Sequence, residues 1–313
     1  MPPVRLSLLV RPRYLALLLL FLLLIGLVAL VSDRHWDERL RFWFKQQQVS
    51  VAEQRASIWL PGYRAVLRGK PVQGLEHDEL SGLTYSAASN TLFSVTGNNP
   101  QLIELSLGGE VLRRIQLRGF SNPEGVEMLA DGRLAIIDER KRSMTSFKLD
   151  GLALSLDAAD YPSFDLGFAK AGNKGFEGIA WDSRHQRVLL GKERSPLGLF
   201  SLPFPGEEGA AGTLQPVASG QLFLRDISSL TYDARTDHTL VLSDESRLLL
   251  ELDAQGEPVS FISLSRGMNG LRGGIQQAEG VTMDGVGNIY IVGEPNLFYV
   301  LSKAPAVRQP DNG

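Results

Sequence analysis

Asn122-Pro123-Glu124-Gly125-Val126-Glu127-Met128-Leu129-Ala130-Asp131-Gly132-Arg133-Leu134-Ala135-Ile136-Ile137-Asp138-Glu139-Arg140 is the stretch on which the fold turns. Two short apolar runs flank an Asp-Gly turn and end on acidic residues, which is how a β-hairpin reads. The pattern returns along the chain. Glu177-Gly178-Ile179-Ala180-Trp181-Asp182 leads to Val188-Leu189-Leu190-Gly191-Lys192-Glu193-Arg194, and Glu279-Gly280-Val281-Thr282-Met283-Asp284 leads to Ile289-Tyr290-Ile291-Val292-Gly293-Glu294. Two looser copies put serine where glutamate stands. One runs from Ser81-Gly82-Leu83-Thr84-Tyr85 to Asn98, the other from Ser228-Ser229-Leu230-Thr231-Tyr232-Asp233 to Glu245.

The equivalent positions Ser81, Glu124, Glu177, Ser228 and Glu279 lie 43, 53, 51 and 51 residues apart. A period of that length with strand pairs inside it marks a β-propeller, in which stacked blades bury faces that one blade alone leaves open. Third strands follow at 102–105, 144–149, 198–202, 248–252 and 298–301, and fourth strands at 111–117 and 259–264. Five units predict an all-β fold, a five-bladed β-propeller of four-stranded antiparallel blades. The last unit has no fourth strand of its own before the polar segment Ser302–Gly313, so Tyr63–Val72 is expected to supply it and close the ring. A degenerate sixth blade within Gly151–Lys174 is the weaker alternative.

At 313 residues with 43% hydrophobic content, the chain can bury a large core. It has no cysteine, which excludes disulfides, thiolate metal sites and cysteine nucleophiles. After a basic tail (1–13), Tyr14–Val31 is an apolar run of 18 residues without a charge. That is near the lower limit for a membrane-spanning helix, and no small-x-small cleavage site closes it. The expectation is therefore a membrane partner: an uncleaved transmembrane anchor over 14–31, single-pass in a bacterial inner (plasma) membrane, with the propeller in the periplasm. Basic residues on both flanks do not settle the orientation; the short N-terminal tail favours a cytoplasmic N-terminus.

Residues 32–60 read as a juxtamembrane helix and linker. Trp36, Leu40, Trp43 and Phe44 share one helical face, which suits either an interfacial helix or a linker helix docked on the propeller. Pro61-Gly62 ends this segment, the propeller takes 61–302, and a polar tail follows over 303–313. The first 56 residues hold 8 Lys+Arg and 4 Asp+Glu, leaving 24 basic and 31 acidic residues, a net charge of −7. Such a domain is no nucleic-acid binder, because phosphate repulsion opposes it; cations suit it better. Pro203–Gly212 reads as an exposed loop.

In a propeller the innermost strand of each blade lines the axis and the second strand returns beside it. The residues that open strand one and those just past strand two therefore share one face. The openers are Ser81, Glu124, Glu177, Ser228 and Glu279; the exits are Asn98, Glu139, Glu193, Glu245 and Glu294. Seven of these ten are glutamates, and like charges about 4 Å apart repel by roughly 4 kcal/mol near a protein surface. A hard cation relieves this, and calcium takes six to eight oxygen ligands. Nothing suggests a His/Cys zinc site. The openers Glu124, Glu177 and Glu279 are nominated as metal ligands, since they lie nearest the axis. Ser81, Ser228, Asn98, Glu139, Glu193, Glu245 and Glu294 form a possible second ring. The competing reading is structural, with the glutamates pairing to Arg140, Lys192, Arg194, Arg247 or Arg272.

Leu80-Ser81-Gly82-Leu83-Thr84, Asn122-Pro123-Glu124-Gly125-Val126-Glu127, Gly175-Phe176-Glu177-Gly178-Ile179-Ala180 and Ala278-Glu279-Gly280-Val281-Thr282 resemble the motifs of the SdiA-regulated family of bacterial envelope proteins. The likeness covers roughly 74–301, and any one motif alone could belong to a generic NHL-like repeat. The resemblance implies a five-bladed propeller distantly related to NHL-repeat proteins, a shared calcium site and an N-terminal membrane segment. It implies no established activity. The metal role carries over to Glu124, Glu177 and Glu279, where the motifs match; Ser81 and Ser228 are weaker ligands.

Three functions compete. The first is a membrane-anchored calcium-binding propeller holding an unknown ligand or protein partner at its mouth. The second is a metal-dependent propeller hydrolase, lactonase- or esterase-like, with Glu139 or Glu193 as base. The third is an envelope scaffold. The four histidines, His35, His77, His185 and His238, assemble no Ser/His/Asp triad. Gly108-Gly109 and Gly273-Gly274 read as turns rather than phosphate loops, since no Lys-Ser/Thr follows them.

Overall fold

The computed structural model describes residues 12–33, 36–168, 175–204, 212–217 and 222–303. The expectations placed on residues 1–11, His35, 169–174, the loop centre 205–211 and the tail 304–313 fall outside them. Two compact units are distinguished, Met1–Arg41 and Phe42–Gly313.

The first unit carries helix α1 (Pro12–Asp33) and the start of α2 (Trp36–Gln46). Among the described residues no helix is long and apolar enough to cross a membrane. This overturns the transmembrane anchor over 14–31 and with it the single-pass placement in a bacterial inner membrane; the periplasmic location drawn from that anchor loses its basis. The helix itself is present and apolar over Pro12–Asp33.

The second unit is a five-bladed propeller, and its sheets follow the sequence repeat. Blade 1 contains β2 (Leu80–Ser86), β3 (Thr91–Thr96), β4 (Gln101–Leu105) and β5 (Val111–Arg118). Blade 2 has β6 (Pro123–Met128), β7 (Arg133–Asp138), β8 (Ser143–Lys148) and β10 (Ser163–Asp165), while β9 (Ser155–Asp157) crosses back to pair in parallel with β5. Blade 3 has β11 (Phe176–Asp182), β12 (Arg187–Lys192), β13 (Gly198–Pro203) and the two-residue β14 (Gln215–Pro216). Blade 4 has β15 (Ser229–Asp233), β16 (His238–Ser243), β17 (Leu248–Leu252) and β18 (Pro258–Ser263). Blade 5 has β19 (Ala278–Met283), β20 (Ile289–Gly293) and β21 (Leu297–Lys303), completed by β1 (Tyr63–Pro71) from the start of the domain.

The N-terminal strand thus closes the ring, as its position ahead of the first repeat implies. Residues 151–165 form no sixth blade: they provide β9 and β10 as outer strands of blades 1 and 2. The inner strands β2, β6, β11, β15 and β19 neighbour one another in turn, and β19 packs against β2. Apolar side chains fill the spaces between blades in five clusters, one per junction. Every blade therefore buries both faces, which is what an isolated sheet of this composition lacks.

Within this unit, residues 42–62 are bound to blade 4. Helix α2 buries Phe42, 3% exposed, with its ring 5.9 Å from that of Phe261, and the Gln46 side chain accepts the Phe261 N–H. Within the second unit Phe42 and Gln46 thus hold the end of this helix to blade 4, whereas Trp43 and Phe44, placed on the aromatic face in sequence, stay exposed. Helix α3 (Val51–Ala56) begins with a capping box between Ser50 and Glu53. Beyond it the fully buried Glu251 carboxylate accepts the N–H groups of Ile58 at 2.7 Å and Trp59 at 3.0 Å, and also faces His238 Nδ1 at 2.7 Å.

Glycine is required where the inner strands crowd the axis. A Cβ on Gly125 would overlap the Glu177 carbonyl oxygen, and one on Gly280 would stand 2.7 Å from the Gly82 carbonyl carbon. Both obstacles are backbone of the neighbouring blade and cannot swing aside. Gly125→Ala is therefore expected to lower stability by about 1–3 kcal/mol, the usual cost of overpacking. Chemical denaturation of the two proteins measures it.

Candidate functional site

The opening glutamates occupy bulges. In blade 2 the register passes from Pro123↔Asp138 to Gly125↔Ile137, leaving Glu124 as the extra residue. The same slip leaves out Glu177 between Phe176↔Lys192 and Gly178↔Gly191, and Glu279 between Ala278↔Gly293 and Gly280↔Val292. A bulge re-aims the side chain of its extra residue. Here the following glycine lets the bulged strand approach its neighbour.

The exit residues are tied to the openers by one repeated hydrogen bond. The N–H groups of Glu139, Glu193 and Glu294 donate to the carbonyls of Asn122, Gly175 and Gln277, each two residues before an opener. In blade 1 the matching bond runs from Gly97 to Glu79. The exit there is Gly97, and Asn98 is exposed. In blade 4 the strand ends at Ser243, so Asp244 holds the exit position. Glu245 lies one residue further on, 41% exposed, and pairs with Arg194 at 2.8 Å. Sequence spacing thus placed both Asn98 and Glu245 one residue too far, because those two exits are not glutamates.

Carboxylate oxygens of Glu139, Glu177 and Glu193 lie within 4.8 Å of one another. Glu124 joins them through Asn122, whose side-chain N–H₂ donates to Glu124 at 2.6 Å and Glu139 at 3.2 Å. Glu139 is further fixed by the Gly175 N–H at 3.0 Å. Glu193 is ion-paired with Arg194. Among the described residues no hydrogen bond or ion pair reaches the side chain of Glu177 or Glu279. Of the three nominated ligands, then, Glu177 belongs to the tight group and Glu124 adjoins it, while Glu279 joins through the field of its neighbours.

Ser81 and Ser228 turn to local partners. The Ser81 hydroxyl donates to the Glu124 backbone carbonyl at 2.8 Å. Ser228 donates to the Asp226 carboxylate at 3.2 Å. Asp226 and Asp244 escaped the repeat alignment, although both feed negative charge into the site. A sequence signal exists for Asp226: it stands two residues before the one opener that lacks both a glutamate and a following glycine.

The electrostatics follow from this crowding. Burial pushes Glu124 up to about 7, with Glu139 and Glu294 adding to it. Glu177 and Glu279 are raised well above their ordinary value, first by burial and then by neighbouring carboxylates, Glu279 and Glu294 respectively foremost. Burial lifts Glu294 to about 7, and it also raises Glu193 and Asp244. Three residues beyond Glu124, Glu127 was not assigned from sequence. Its carboxyl is buried, one oxygen accepts the Trp181 N–H at 3.2 Å, the other has no partner, and burial pushes it up to about 8.

A second cluster of Asp182, His185 and Asp237 stands at the other end of the inner hairpins. Asp182 already receives Arg187 at 2.7 Å and His185 at 2.8 Å, so this cluster reads as a turn-stabilising ion pair.

Fold and site together define a five-bladed propeller with a carboxylate-lined channel mouth. The chain belongs to the SdiA-regulated family, whose profile matches residues 55–302. It is similar to solved propellers at low identity. A protein of unknown function from Bacteroides thetaiotaomicron shares 10% identity at a TM-score of 0.48, over 76% of this chain and 73% of the other. A gluconolactonase from Xanthomonas campestris shares 14% at 0.45, over 76% and 96%. A chain of a nidogen/laminin complex shares 17% at 0.46, over 69% and 72%.

The raised carboxyls predict an unusual pH dependence in chelator. A group whose folded value lies above its unfolded value near 4.5 contributes stability that is full below 4.5 and is lost as pH rises through the folded value. Each such group changes stability by about 1.4 kcal/mol per pH unit within that window. Stability is therefore expected to fall between pH 4.5 and about 7, and Glu124→Gln to flatten the fall. Urea titrations across that range measure the slope.

Proposed function

We propose that the protein binds calcium at the channel mouth and uses it to hold a ligand or partner there. The carrying observation is the meeting of Glu139, Glu177 and Glu193 from two blades within 4.8 Å, beside carboxylates that no cationic side chain reaches. Two ligands of one calcium ion stand at most twice its 2.3–2.6 Å bond length apart, about 5 Å. The donor set consists of oxygen alone, which suits a hard cation and not zinc. Glu139, Glu177 and Glu193 would hold the ion, with Glu124 and Glu279 beside them. Bound there, it would supply positive charge to attract and polarise a ligand oxygen.

The residues favour binding over hydrolysis. A general base needs a free lone pair near the reacting proton. Glu139 and Glu193, the two candidate bases, are in the ion-holding group itself, and lone pairs committed to a cation are not offered to a proton. The net charge of −7 beyond the N-terminal segment argues against nucleic acid as the partner.

Calorimetric titration of the full chain with calcium, after chelator treatment, tests this. Saturable binding of one ion is expected, weakened about tenfold or more by Glu177→Gln as one ligand charge is lost. Absence of binding up to millimolar calcium, or unchanged affinity in Glu177→Gln, refutes it.

A further inference from the structure

Beside the glutamate ring lies a cavity of about 610 Å³ whose charge is opposite to the ring's. It opens between the β16–β17 turn of blade 4 and the loop that leads from β18 into blade 5. Its walls include Arg247, Arg266 and Arg272, with Gly273 and Gly274 between the last arginine and Gln277. The cavity adjoins the ring directly. Gln277 donates its side-chain N–H to Glu294 at 2.7 Å, and Asp244, also in the wall, accepts the N–H of Ala278 at 3.1 Å, next to Glu279.

We propose that this cavity binds the oxyanion group, carboxylate or phosphate, of a small organic molecule whose remainder faces the glutamate ring.

Three observations carry it. Among the described residues, none of the three guanidinium groups makes a hydrogen bond or an ion pair, although they stand at the edge of an acidic mouth. Arg194, on the same rim, shows the contrast: it pairs with both Glu193 and Glu245. Arg247 acts on the ring only at longer range, favouring the charged form of Asp244 without an ion pair. A guanidinium fork matches a carboxylate or phosphate edge with two parallel hydrogen bonds, and three arginines line this one cavity.

The frame is also built. Leu271 and Ile275 are buried in the core between blades 4 and 5. The loop is stitched by Gly267 N–H to Leu271 O at 2.9 Å and by Ile275 N–H to Leu264 O at 2.9 Å. These bonds fix the backbone on either side of Arg272. Gly273 has no atom within 4 Å of where a Cβ would stand, so the backbone there faces open space. Finally, the volume falls in the range of small-molecule sites rather than macromolecular surfaces. In a domain of net charge −7, a local excess of cations is what lets an anion approach at all.

As the ligand-holding half of the same mouth, the cavity rests on the calcium reading for the orientation of the ligand, but its hold on the oxyanion does not need the ion. The test is calorimetry on the full chain with inorganic phosphate and with succinate, first in chelator, then succinate again in calcium. At least one probe is expected to bind saturably, and Arg247→Ala and Arg272→Ala each to weaken it at least tenfold. Arg235→Ala, which removes an arginine paired with Asp233 at the far end of β15, should change nothing. Circular dichroism melts confirm that each variant is folded. Which probe binds tells phosphate from carboxylate. If neither probe binds, or binding survives the Arg247→Ala/Arg272→Ala double variant, the proposal fails. Anion binding without calcium binding would remove the ion and leave the cavity standing; calcium binding without anion binding would do the reverse.

Discussion

The close approach of five inner strands around one axis is the constraint on which the rest depends. Each blade must bring its first strand against the next blade's backbone, and at Gly125 and Gly280 the space left is smaller than a methyl group. A glycine there permits the approach. The residue before it is squeezed out of the ladder as a bulge, and in three blades that residue is glutamate. The packing that closes the ring and the placement of charge are therefore one event.

The consequence is an electrostatic load that the fold distributes rather than cancels. Some carboxylates are held by hydrogen bonds: Glu139 by Asn122 and Gly175, Glu294 by Gln277. One, Glu193, is paired with an arginine. Glu177 and Glu279 have neither kind of partner, and burial drives them toward the protonated form. Ionising a buried carboxyl that has no such partner costs stability. Arg247 relieves that load in part, at Asp244, and with Arg266 and Arg272 it lines a cavity beside the ring, so the two charge signs are kept side by side at one rim.

Closure of the ring is also where the N-terminal part of the domain acquires its role. Strand β1 completes blade 5, and the residues just before it are bound to blade 4 through Glu251 and Ser260. Two adjacent blades are thus fastened by one continuous segment, and the pairing of β1 with β21 joins the two ends of the ring. The apolar run near the start of the chain is a separate matter: it forms a helix, yet among the described residues no helix is long and apolar enough to cross a membrane.

Much of this was legible in the residues. The period near fifty, the Asp-Gly and similar turns, and the unpaired last unit were enough to determine five blades and their closure by Tyr63–Val72, because hairpin signals are local and the repeat multiplies them. The Glu-Gly pairs marked the strand openings for the same reason. Tertiary structure alone decided the rest. Which openers meet depends on bulge geometry and on distances across the axis, so Glu177 joins Glu139 and Glu193 while Glu279 stands apart from that tight group. Asp244 and Gly97 take exit positions that spacing assigned to Glu245 and Asn98, since a shift of one residue at a strand end is invisible when the residue type changes. Glu127 and the arginine-lined cavity emerged only when separate blades were brought together. No residue pattern within a single repeat encodes what stands beside it in the next.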